Sequence, residues 1–154
     1  MQTIDNNFTQ SKPFKNRFLI AAAMACAAAG LIHIGCIIFG GSWYRFFGAG
    51  EEMARLADAG NSYPTIVTSI ISAVLSIWSL YALSGAQIIP RLPLLRTALC
   101  IITSLLLARG LAFIFMMPLF PGNSLLFWLT SSALCLAIGI CFLIGLKQSW
   151  HQLG

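Results

Sequence analysis

The sequence predicts an all-α fold: an integral membrane, up-down-up-down four-helix bundle with a short amphipathic helix in its first outer loop. Three observations predict it. Only 8% of the 154 residues are charged and 58% are hydrophobic, where a soluble domain carries about a quarter charged. Four long segments, 18–39, 64–85, 94–117 and 125–146, hold almost none of that charge. Each reaches the ~20 residues needed to cross ~30 Å of hydrocarbon at 1.5 Å per residue. The links after the second and third segments are short, which favours antiparallel neighbours.

Residues 1–17 form a polar leading tail, with Lys12, Lys15 and Arg17 just before the first segment. The run AMAC at 23–26 resembles a lipoprotein cleavage site. The apolar stretch continues past Cys26 to Phe39, longer than a signal-peptide core of roughly 7–15 residues. The helix is therefore expected to stay. Its small residues, Ala22, Cys26, Ala29, His33, Cys36 and Gly40, recur at steps of three and four. Lipid tails are as apolar as leucine, so such faces are where membrane helices approach each other.

The first loop reads GSWYRFFGAGEEMARLADAGNSYP, longer than a turn requires, and such loops often carry function. Trp43, Tyr44, Phe46 and Phe47 suit an interfacial aromatic belt. Gly48 and Gly50 allow a turn, and EEMARLADAG forms the amphipathic piece, with Glu51 and Arg55 spaced as a helical ion pair. Met53, Leu56 and Ala57 are expected to face the membrane or the bundle. Pro64 suits the first turn of the next helix. There Thr65, Ser69, Ser72, Ser76, Ser79, Ala82 and Ala86 define a packing seam of small, partly hydroxylated residues. Thr97, Cys100, Ser104, Ala108 and Ala112 repeat the pattern in the third segment, and Ser131, Cys135 and Gly139 in the fourth.

Orientation follows from Lys and Arg. Lys12, Lys15, Arg17, Arg91, Arg96 and Lys147 flank one side; Arg45 and Arg55 are on the other. Both termini, including the tail 147–154, are expected in the cytoplasm. The formal net charge of +5 mostly expresses this asymmetry, and no basic face interleaved with aromatics suggests nucleic acid. All five cysteines fall within the spans without C-x-x-C spacing, as buried packing residues do.

Several chemistries fail on counting. Bis-histidine haem ligation needs two histidines at depth, and His151 is in the tail. His33 and Cys36 lack further ligands for a metal. No span contains a carboxylate for proton-coupled antiport, and no catalytic motif is present. No cofactor is expected.

The stretch SLLLARGLAF at 104–113 places Arg109 inside an apolar run. An unpaired charge at such depth costs at least ~2.5–3.5 kcal/mol, so a partner or a wet cavity is expected. Of the four carboxylates Asp5 is on the wrong side, leaving Glu51, Glu52 and Asp58. Pairing with one of these folds the loop over the bundle as a lid. His33, at comparable depth, joins Arg109, the three acids, Arg55, Tyr44 and Tyr63 in a candidate ligand or ion-pair pocket. A structural role for Arg109 and His33 is the competing expectation, with His33 bonded to a backbone carbonyl.

The phrases WYRFFGAGEEMARL, YALSGA with LPLLR beyond it, and LLLARG resemble those of small four-helix inner-membrane proteins of proteobacteria. The resemblance runs from the first to the third helix, more loosely into the fourth. It implies layout and location, the bacterial inner membrane, and carries over no catalytic or binding residue. The expected function is non-enzymatic: binding a lipid-like or amphipathic ligand, or a protein partner, and affecting envelope permeability or tolerance to toxic compounds. The alternative is a small transporter or transporter subunit acting as a homo-oligomer. A lipid- or quinone-handling enzyme using His33 is a third class. The bilayer is a partner in every case.

Overall fold

The structure, a computed structural model, describes residues 15–119 and 122–153; Asp5, Lys12 and most of the 1–17 tail lie outside them. Among the described residues the chain is all-helical. In chain order the helices are α1 (Arg17–Phe39), α2 (Gly41–Phe46), α3 (Glu51–Asp58), α4 (Ser62–Gly85), α5 (Leu95–Leu111), α6 (Phe113–Met116) and α7 (Leu125–Ser149). Helices α1, α4 and α7 are each long and apolar enough to cross a membrane. The third segment departs from a single rod over 94–117. Its helix stops at Leu111, turns by 68°, and resumes as α6 and a 3-10 turn at Met117–Leu119. Taken together, that bent pair makes a fourth candidate span.

Helices α1, α4 and α7 each begin where a side chain replaces the missing turn of backbone partners. Asn16 accepts from Phe18 and Leu19 at the start of α1, Asn61 accepts from Tyr63 ahead of α4, and Ser124 accepts from Phe127 ahead of α7. Helix α1 packs most extensively on α4, α5 on α7, and α1 also on α7. The α1–α4 seam is the expected hydroxylated one in part. Ser72 donates to the Gly30 carbonyl at 3.0 Å and Ser79 to the Ala23 carbonyl at 2.9 Å. Ser69 and Ser76 are exposed, and Thr68, which the small-residue pattern passed over, is buried in their place.

The faces expected of α5 and α7 differ more. Thr97, Ser104 and Ala108 point outward, and α5 instead buries Leu99, Ile102, Leu106 and Gly110. The reason is that one close approach needs only one small partner: a large knob on one helix fills a glycine hole on the next. Gly145 of α7 shows this, since a Cβ there would lie 2.6 Å from Leu19 Cγ. Outside this core the long helices expose Leu31, Ile38, Ile66, Ile70, Leu105 and Leu134, an apolar girdle.

Two ends close the girdle. At the loop end, α2 and α3 both form where one amphipathic helix was expected, and Ala54 and Tyr44 are buried with Cys36. At the terminal end, α7 runs on to Ser149. Trp150–Gln152 continue it as a 3-10 turn, and Leu153 is buried.

Candidate functional site

Arg109 sits in the last turn of α5, two residues before Leu111 and so roughly 3 Å from the bend at 1.5 Å per residue. Its expected carboxylate partner is not there. Its Nη1 donates to Ser132 Oγ and its Nη2 to Ser131 Oγ, both at 3.2 Å. The guanidinium carbon lies 5.0 Å from the centre of the buried Trp128 ring. All three partners come from α7. The charge is thus met by neutral groups: two hydroxyls, an aromatic face, and the negative carbonyl end of its own helix. The bend changes where Arg109 lies along its helix. A straight helix to Met117 would put Arg109 more than two turns inside, whereas the real helix ends beside it.

The loop acids are engaged elsewhere. Arg45 of α2 grips Glu51 through Nε and Nη2 at 2.9–3.0 Å and Asp58 through Nη1 at 2.8 Å. Arg55 holds Glu52 at 2.9 Å, so the expected Glu51–Arg55 pair is replaced by a neighbour one residue closer. These pairs are exposed. The hydrogen bonds from Arg45 hold the Glu51 carboxyl below the usual carboxylate range. Bonds to Glu51, then to Asp58, raise Arg45, and Glu52 raises Arg55. Arg45, treated in the sequence only as a topogenic charge, is the organiser of the loop. No spacing rule flags it, because its partners are 6 and 13 residues away.

Tyr44 is buried, its hydroxyl 2.8 Å from Thr68 Oγ1 and 3.3 Å from the Pro64 carbonyl, and so ties α2 to α4. Tyr63 is exposed. His33 is half-buried, and its Nδ1 donates to the Ala29 carbonyl one turn back at 2.7 Å. No hydrogen bond or ion pair joins His33 to Arg109 among the described residues. The pocket expected from sequence is therefore three separate arrangements: the Arg109 site between α5 and α7, the Arg45 cluster over α2 and α3, and His33 on α1. Among the described residues no three His, Cys, Asp or Glu side chains gather where a metal could bind.

The terminal end holds a polar cluster the sequence reading missed. Buried Asn16 donates to the Gly145 carbonyl at 3.0 Å and to Ser149 Oγ at 2.9 Å, clipping the start of α1 to the end of α7. Asparagine just before an apolar run is an N-cap signal; its long-range partners are not legible. Arg96 stacks 3.5 Å over the Trp150 ring, and Arg91 bonds to the Leu153 carbonyl. Beside them Ser84, Gln87, Ile89, Arg91, Leu95, Gln152 and Leu153 line a cavity of about 220 Å³.

No protein-family model, curated protein or solved structure matches the chain.

Proposed function

We propose that this chain is a four-span protein of the bacterial inner membrane with both termini in the cytoplasm, and that it binds an anionic, lipid-like or amphipathic molecule at Arg109. Binding there affects envelope permeability or tolerance to toxic compounds. The observation that carries the reading is a half-buried guanidinium met, among the described residues, by hydroxyls, an aromatic ring and a helix end. Neutral partners leave the net positive charge in place, and an intramembrane cation without an acid is a functional site by default. The apolar girdle supports insertion. Lys15, Arg17, Arg91, Arg96 and Lys147, gathered toward the terminal end, support the orientation.

The test is a deletion strain challenged with detergents, dyes and antibiotics, then complemented. Wild type restores tolerance, and Arg109→Gln at equal membrane abundance does not. Equal rescue by both refutes the reading.

A second reading is a homo-oligomeric transporter subunit. It is favoured by Ser69, which is exposed on α4 where a second copy would cover it. Substrate flux in proteoliposomes separates the two.

A further inference from the structure

The Arg109 site has a shape as well as a charge. A guanidinium carries five N–H donors. Two are used by Ser131 and Ser132, and three have no partner among the described residues. Directly below Arg109 on the same face, at steps of four, come Leu105 and Ile101, 51% and 54% exposed. One turn beyond Ser131 on α7 comes Leu134, 64% exposed. A cationic, hydroxyl-lined head thus stands over an apolar track some 12 Å long, counted as eight residues at 1.5 Å.

The bend sets the level of this head. With 17 residues α5 is only about 25 Å long, roughly 5 Å less than the ~30 Å of hydrocarbon beside it. Its chain then turns aside into α6, whose Ile114 and Phe115 are among the most exposed apolar residues. A bilayer meeting a short helix thins to match, and thinning on the α5 side lowers the headgroup layer toward Arg109.

We propose that Arg109, held in place by Ser131 and the buried Ser132, seats the phosphate of an anionic phospholipid from the loop-end leaflet, with its acyl chains along Leu105, Ile101 and Leu134. This rests on the Arg109 reading above and names its ligand class. A net-negative lipid neutralises the guanidinium; a zwitterionic one carries its own cation and competes poorly. The Arg45 cluster does not duplicate the site, because Glu51 and Asp58 already occupy its donors.

The experiment is native mass spectrometry of the detergent-solubilised full chain, titrated with dioleoylphosphatidylglycerol, dioleoylphosphatidylcholine or inorganic phosphate. Wild type retains one more tightly held phosphatidylglycerol than Arg109→Gln, and the Ser131→Ala/Ser132→Ala double variant binds it at least threefold more weakly. Circular dichroism and gel filtration monitor folding, and the double-serine variant carries the test if Arg109→Gln does not fold. Equal phosphatidylglycerol binding by wild type and the variants overturns the proposal. So does phosphatidylcholine binding as tightly at this site, or inorganic phosphate displacing the lipid at equal concentration. If lipid binding ignores Arg109 while complementation still requires it, the ligand class falls and the site stands. If neither requires Arg109, both fall.

Discussion

At the scale of single residues the loop end answers charge in two ways. Arg45 meets two carboxylates across exposed, solvent-screened distances, and Arg109 meets dipoles. The first arrangement is pH-dependent. Glu51 has a folded-state value below its unfolded one, held there by Arg45. Its contribution is therefore present above the unfolded value and lost as pH falls through the folded value, on the acid side of the ordinary carboxylate range. Hydrogen exchange of residues 41–60 followed into acid should show the loop loosening in that window. Glu51→Gln should loosen it already at neutral pH and flatten the transition, whereas an acid step undiminished in that variant would assign the effect to other groups. Sequence showed that Arg109 was isolated, since the run around it has no other charge. It could not show the partners, because Ser131 and Ser132 reach it only through the relative rotation of α5 and α7 and the early end of α5.

At the scale of elements the bonds of the α1–α4 seam repeat in register. Ser72 and Ser79 are seven residues apart, and so are their acceptors Gly30 and Ala23, which is the spacing of a left-handed helix pair. Interhelical hydrogen bonds in membranes average about 0.6 kcal/mol. Ser72→Ala and Ser79→Ala should each lower stability by about that amount in a detergent-unfolding series. Ser69→Ala, on the outer face, should lower it by less than half as much; a larger loss there would mean that Ser69 is covered. The long helices themselves were legible from apolar run length, and their inward faces only half so. Hydropathy separates core from surface when the surroundings are water. Here leucine serves equally on the girdle, as Leu134 does, and in the core, as Leu99 does. Small residues were the remaining cue, and it failed where a glycine on the partner supplied the gap.

At the scale of the whole molecule the two ends differ in chemistry. The terminal end gathers described basic residues around α1, α5 and α7, whereas at the loop end Arg45 and Arg55 are paired with three carboxylates, one in excess. The proposed orientation rests on that contrast. Alkaline phosphatase fused after Gly60 should be active and the same enzyme fused after Leu153 inactive, with a green fluorescent protein reporter giving the opposite pattern. Reversal of both would invert the topology and move the Arg109 site to the cytoplasmic leaflet.

The pairing of helices also implies an order of assembly. Helix α1 lies against α4, its nearest long neighbour in the chain, and α5 against α7, so each half is a helical hairpin that can form as it leaves the ribosome. What joins the halves is largely the α1–α7 contact, closed by Asn16 reaching Gly145 and Ser149 across more than 125 positions of chain. Asn16 precedes its partners by more than 125 positions, so this clip can form only after the end of α7 has been made. Until then the first hairpin keeps an open flank, and the final turns of α7 are the latch that closes it.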